Sequence, residues 1–156
     1  MKFNKKEIKK LLKHKEPFIF VDTAEILSNS QINGTFEVLE RNHDFFKGHF
    51  PGEPIMPGIF LQEFMGQLSG ILTFKKYLDQ GYRSIADFDC DIYLLRVKDF
   101  VYKGRVKPNC VLKVESKVET MPMDYFYKVT GKVLVNSHIK AKGTLIIYFK
   151  VHKIKK

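Results

Sequence analysis

One histidine and one carboxylate stand out for what surrounds them. His49 lies in GHFPGEPIMPG, Gly48 to Gly58, a run with three prolines and three glycines. Proline fixes φ and glycine permits unusual backbone angles, so the run reads as a stiff, tightly folded loop. It opens directly into IFLQEFMGQLSGILTF, an apolar stretch that reads as a buried helix. Glu63 falls about one and a half turns into that helix, at ~3.6 residues per turn. An imidazole on stiff backbone and a carboxyl on an apolar helix can move protons on and off a substrate. Neutral imidazole suits the base. The carboxyl suits the acid, or the group that orients a leaving water. The backbone N–H of Gly58, at a helix N-terminus, suits a developing oxyanion. Gln67 lies one turn past Glu63 on the same face. It could hold the carboxylate or the substrate, or only satisfy buried backbone groups.

This stretch resembles the active-site segment of the FabZ/FabA family, the 3-hydroxyacyl-acyl-carrier-protein dehydratases. The family pattern, roughly GHFPGxPxMPG with Glu or Asp five residues on, then Met and Gln, is met at Gly48, His49, Phe50, Pro51, Gly52, Pro54, Met56, Pro57, Gly58, Glu63, Met65 and Gln67. LLKHKEPFIFVD near the N-terminus is similar to the family's lead into its first strand. The likeness is diffuse after residue 80. It implies a hot-dog fold and removal of water from a 3-hydroxyacyl thioester to give the trans-2-enoyl thioester. It also implies catalytic roles for His49 and Glu63 and an oxyanion role for Gly58. No cofactor is implied, the substrate riding on the phosphopantetheine of acyl carrier protein. The expected assembly is a homodimer, or a hexamer built as a trimer of dimers, with His49 of one subunit facing Glu63 of the other. Glu63 in place of Asp matches the branch that dehydrates without isomerising. Some positions depart from the family pattern. Thr23 stands where Arg is common, and YKGRVKPNC, Tyr102 to Cys110, replaces a loop resembling FRRPVVPGD. Acyl-chain preference is therefore expected to be this chain's own.

The composition fits a single globular domain over residues 1–156. Hydrophobic residues make up 44% and aromatics 13% of 156, enough to bury a core without staples. The N-terminus carries charge but no apolar core, so no secretory signal is expected. The apolar helix is broken by Gln62, Glu63, Gln67 and Ser69, so no membrane span is expected. These readings together point to the cytoplasm. Net charge is +10, which attracts polyanions, an acidic carrier protein or nucleic acid among them. No helix-turn-helix, zinc-finger or RNP pattern supports nucleic acid. No His/Cys spacing suggests a metal.

The elements that must position these groups follow from periodicity. Residues 4–14 read as a helix with a capping box at Asn4 and Glu7. PFIFVDTAEIL reads as a strand, and SQINGTFEVLE as a second with a turn or bulge at Asn33-Gly34. The long helix is expected from about Pro57, in the first turn, to Asp79. Gly66 and Gly70 on it suggest close approach of a neighbouring surface. VLKVESKVE and HIKAKGTLIIYFKV alternate with period two, as half-buried antiparallel strands do. Asn136-Ser137 reads as a hairpin turn. One long apolar helix with a curved antiparallel sheet of five to seven strands is an α+β domain.

On this scaffold two alternatives stand beside the dehydratase. One is a non-catalytic hot-dog subunit that binds acyl thioesters, which the intact His49 and Glu63 oppose. The other is a hot-dog thioesterase. His14, His43, His138 and His152 read as structural or surface residues.

Overall fold

The structure is a computed structural model and describes residues 1–155. A seven-stranded, wholly antiparallel sheet packs against one face of a long helix. The strands are β1 (Lys2–Phe3), β2 (Thr23–Ile26), β3 (Gln31–Val38), β4 (Phe88–Tyr102), β5 (Cys110–Thr120), β6 (Phe126–Val135) and β7 (His138–Ile154). Their order across the sheet is β1-β2-β3-β5-β6-β7-β4. The helices are α1 (Lys5–Leu11), α2 (Phe45–Gly48), α3 (Ile59–Thr73) and α4 (Lys75–Asp79). This is the α+β hot-dog arrangement that the resemblance implies, with α3 lying against β3, β5, β6 and β7.

The alternating strands behave as their sequences dictate. In β5 the charges at Lys113, Glu115, Lys117 and Glu119 face out, while Leu112, Val114, Ser116 and Val118 are buried. In β7 the inward set is Ala141, Leu145, Ile147 and Phe149; Ile139 and Val151, nearer the ends, stay partly open. Asn136 and Ser137 both take positive φ, 47° and 66°, and join Val135 to its partner His138. Two left-handed central residues are what a tight hairpin with native twist needs.

Asn33-Gly34 is a correction. Both residues run straight through β3, paired with Glu25 and Ala24 on one side and Glu115 and Val114 on the other. The glycine serves the helix instead. A Cβ at Gly34 would stand 2.5 Å from Leu68 Cδ1 and 2.7 Å from the Thr23 carbonyl oxygen. At Gly131 it would stand 2.6 Å from Met65 Sδ. The two glycines cut a trough in the sheet that seats Met65 and Leu68, both fully buried. Close packing of this kind leaves no room for an added methyl.

The long helix also differs from expectation. Pro57 lies outside it, with Gly58 as N-cap, and the helix breaks at Phe74 into α3 and α4. Phe74 takes φ −81° and ψ −5°, and the break turns its ring into the core at 5.0 Å from Phe88, edge to face. Gly66 and Gly70 meet no close neighbour: a Cβ at Gly66 would lie 3.8 Å from Leu145 Cδ1, and one at Gly70 would meet nothing within 4 Å.

At the N-terminus Asn4 Oδ1 accepts the Glu7 N–H (3.1 Å) and Glu7 Oε2 accepts the Asn4 N–H (2.9 Å). The capping box forms as expected, but α1 stops at Leu11, and Leu12 turns extended to bury its side chain. Only residues 23–26 of the expected 17–27 strand join the sheet. Buried backbone groups must find partners, and those of Phe18 and Phe20 find Gln67 rather than a neighbouring strand. Among the described residues no helix is long and apolar enough to cross a membrane.

Candidate active site

His49 follows the last turn of α2, its N–H bonded to the Phe45 carbonyl at 2.9 Å. The proline-rich loop then closes on itself. Phe50 and Glu53 exchange backbone hydrogen bonds at 3.1 Å, and Ile55 N–H donates to the His49 carbonyl at 2.8 Å. Gly52, at φ +78°, makes the left-handed corner that glycine adopts without strain. Met56 N–H donates to the Val106 carbonyl at 2.8 Å, tying the loop to the segment after β4.

This frame sets the tautomer of His49. Its Nδ1 stands 2.8 Å from the Ile55 carbonyl oxygen. A carbonyl only accepts, so Nδ1 carries the proton and Nε2 of the neutral ring presents its lone pair. The ring also stacks on Phe50 at 4.1 Å. Gly58 lines the same concavity, together with Ile59 and Tyr102 to Val106. Among the described residues the Gly58 N–H has no protein acceptor. It sits at the N-cap of a fifteen-residue helix, where unpaired N–H groups and the helix dipole favour negative charge.

Glu63 is positioned by α3 one turn before Gln67. Gln67 is 3% exposed and uses its whole amide. Its Oε1 accepts the Phe20 N–H at 2.9 Å; its Nε2 donates to the Phe18 carbonyl at 3.0 Å and to Glu63 Oε1 at 2.8 Å. Gln67 thus contacts the carboxyl and satisfies buried backbone groups together. His14 Nε2 also approaches Glu63 Oε1, at 3.3 Å. The histidine's position in HKEPF gives no sign of this contact, which depends on how residues 12–22 fold across α3.

The groove beside Glu63 is mainly apolar. Leu12, Phe74, Ile92, Leu94 and Phe149 line it, and Gly66 and Gly70 leave its helical wall bare. Residues 59, 62, 63, 66 and 70 form the stripe of α3 that the sheet leaves at least partly uncovered. His49 does not line this groove, and Glu63 does not line the concavity of His49 and Gly58. One chain thus carries the two halves of the candidate machinery in separate recesses.

The FabA-like domain family matches residues 12–147, a span that holds His14, His49, Gly58, Glu63 and Gln67. The chain belongs to this family. It is 31% identical over 139 residues to a 3-hydroxyacyl-[acyl-carrier-protein] dehydratase FabZ of Fusobacterium nucleatum, covering 88% of this chain and 91% of the relative. It is 33% identical over 141 residues to the protein of the same name from Psychrobacter arcticus, covering 90% and 92%. Among solved structures the dehydratase heterocomplex ApeI:P of Xenorhabdus doucetiae superposes with a TM-score of 0.73 at 15% identity, over 90% of this chain and 89% of that one. A sigma28-regulated virulence protein of Campylobacter jejuni, Cj0977, superposes at 0.63 with 9% identity, over 92% and 87%. These two structural likenesses speak for the fold.

Two features of the FabA-like site belong to this chain's own sequence. Arg105, where the family resemblance leads one to expect proline, pairs with Glu53 at 2.6 Å and so bridges the histidine loop to the segment after β4. Both side chains are well exposed, so the pair contributes little energy. Tyr102 has a larger consequence. Its ring covers Gly58 so closely that a Cβ there would stand 2.7 Å from Tyr102 Cε1, and its hydroxyl accepts from Gln62 Nε2. Burial pushes the thiol pKa of Cys90 and of Cys110 up, which disfavours the reactive thiolate.

Proposed function

We propose that this protein is a 3-hydroxyacyl-[acyl-carrier-protein] dehydratase of fatty-acid or related acyl biosynthesis, with each active site assembled from two copies of the chain. The observation that carries the reading is the His49–Gly58 concavity. A histidine whose Nδ1 is engaged by a carbonyl offers Nε2 as a base, beside a helix N-terminal N–H that has no acceptor among the described residues. His49 Nε2 takes the C2 proton of the thioester. The C2–H electrons become the C2=C3 double bond as the C3–O bond breaks. Negative charge that builds on the thioester oxygen is met by the Gly58 N–H. Glu63 of the second copy gives a proton to the departing hydroxyl, which leaves as water. Acid, base and amide donor all come from protein, so the step calls for no cofactor.

The separation of the two recesses within one chain supports the two-copy site. So does β4. Among the described residues it is an edge strand bonded only to β7, and it exposes Tyr93, Leu94, Leu95, Val97, Val101 and Tyr102. A long apolar edge is a liability unless it is paired or covered. A homodimer, alone or repeated as a trimer of dimers, would cover it. The groove beside Glu63 suits the acyl chain. Lys103, exposed in the lining of the His49 concavity, suits an acidic carrier protein that delivers it. The setting is the cytoplasm, where such carriers would be met.

The test is mass spectrometry of 3-hydroxyacyl-acyl-carrier protein incubated with the enzyme. Loss of one water with the thioester intact is expected. Release of free carrier identifies a thioesterase instead, and an unchanged acyl-carrier mass leaves only a binding subunit.

A further inference from the structure

We propose that His14 is a positioning residue for Glu63, holding one carboxyl oxygen through its Nε2–H so that the other is left to the substrate. The proposal rests on the reading of Glu63 as the proton donor. It begins with the two ring nitrogens of His14. Nε2 lies 3.3 Å from Glu63 Oε1. Nδ1 is buried and has no hydrogen-bond partner among the described residues. A neutral imidazole carries one N–H. A buried N–H with no acceptor is costly, so the hydrogen belongs on Nε2, facing the carboxyl.

The ring is held in that orientation through Phe18. It stacks on Phe18 at 6.0 Å and 28°. The Phe18 carbonyl is itself held by Gln67 Nε2, the same amide nitrogen that donates to Glu63 Oε1. Segment 14–20 and helix α3 are thus tied through one short network, and both of its contacts to Glu63 fall on Oε1. Oε2 has no protein partner among the described residues. With Oε1 taken by two donors, Oε2 is the oxygen left to face the leaving hydroxyl. The 3.3 Å separation is longer than a tight contact to a carboxylate. Contacts of this kind are often long in the empty site and tighten in the substrate complex. Lys13 lines the same groove but spends its ammonium on the Cys90 carbonyl at 2.6 Å, so His14 has no competitor from its own segment.

Three substitutions separate donor from filler. Gln places its amide nitrogen near the position of imidazole Nε2. Asn places its own near Nδ1. Leu fills space without donating. With 3-hydroxyacyl-acyl-carrier protein as substrate, His14→Leu and His14→Asn should lose kcat by about ten- to a hundredfold, the range expected of a displaced catalytic group, with KM little changed. His14→Gln should keep most of kcat. Melting temperatures confirm that each variant folds, and if His14→Leu does not, His14→Asn supplies the comparison. Equal kcat in the Leu, Asn and Gln variants overturns the proposal, as does a loss carried in KM. A second readout is independent of turnover. In protein labelled with ¹³C at the glutamate carboxyl, the Glu63 resonance is identified by its absence in Glu63→Gln. It should move in His14→Leu and His14→Asn and stay near its native position in His14→Gln. A resonance unmoved in all three overturns the contact. If the native protein dehydrates no thioester, the dehydratase reading has failed, and this resonance alone decides the role of His14.

Discussion

Gly70→Leu is the substitution that most directly tests the groove as the seat of the acyl chain. Gly70 lies seven residues past Glu63 on the same face of α3, which is ~10.5 Å along the axis at ~1.5 Å per residue. Phe74 closes the lining a turn further on, ~16.5 Å from Glu63 by the same rise. A Cβ at Gly70 meets nothing within 4 Å, so a leucine there projects into the groove rather than into the core. The fold should tolerate it, since replacing glycine inside a helix gains up to ~1 kcal/mol of propensity. The methylenes of an acyl chain that pass Gly70 in the native protein would find the groove filled. Each buried CH₂ is worth ~0.8 kcal/mol, and ~1.4 kcal/mol is tenfold, so each lost methylene costs about fourfold. The assay is kcat/KM for a series of 3-hydroxyacyl thioesters of increasing length. The native enzyme should climb steadily until the chain reaches Phe74. The variant should match it for short chains and then level off, so that the ratio between the two widens about fourfold per added methylene. An unchanged length profile would falsify the assignment of the acyl chain to this groove. A uniform loss at every length would assign Gly70 to the chemistry instead.

Other perturbations probe the rest of the scheme. His49→Ala and Glu63→Ala should each lose about 10²–10⁴-fold in turnover. Once subunit exchange is shown by native mass spectrometry, mixing the two dead proteins should return roughly a quarter of native activity, because half the dimers then hold one intact site of two; exchange without recovery refutes the shared site. Gln67→Leu strands the Phe20 N–H and the Phe18 carbonyl, at about 1–3 kcal/mol for each buried group left unpaired, so its melting temperature and its kcat should fall together, and an unaltered melting curve contradicts the network. Gly34→Ala drives a methyl against Leu68 and the Thr23 carbonyl and should cost about 1–3 kcal/mol in denaturant unfolding. Affinity for acyl carrier protein should weaken with salt more than affinity for a short thioester mimic, since the screening length shrinks from ~10 Å at 0.1 M to ~3 Å at 1 M; parallel salt curves exclude electrostatic docking.

The sequence by itself determined the parts whose physics is local. Period-two alternation in residues 112–119 and 139–149 sets which side chains face in, because successive residues of a strand point to opposite faces. The Asn4–Glu7 box and the Asn136-Ser137 hairpin need only their own neighbours. The loop from Gly48 to Gly58 and the placement of Glu63 and Gln67 one turn apart are equally legible, since proline, glycine and helical pitch constrain them within a few residues. What depended on distant contacts was decided by the tertiary structure alone. Asn33-Gly34 has the look of a turn, yet Gly34 is a bare patch of strand on which Leu68 of the crossing helix sits, and a helix so far along the chain leaves no local mark. Residues 17–22 have strand composition, but the Phe18 carbonyl and the Phe20 N–H take the Gln67 amide as partner, and the chain meets β3 first at Asp22, whose N–H donates to the Thr35 carbonyl. Gly66 and Gly70 resemble a close-packing motif and instead form the open wall of a groove, because no neighbouring element comes over them. His14 stands forty-nine positions from Glu63, and no periodicity links residues so far apart; the path of the chain between α1 and β2 brings them to 3.3 Å.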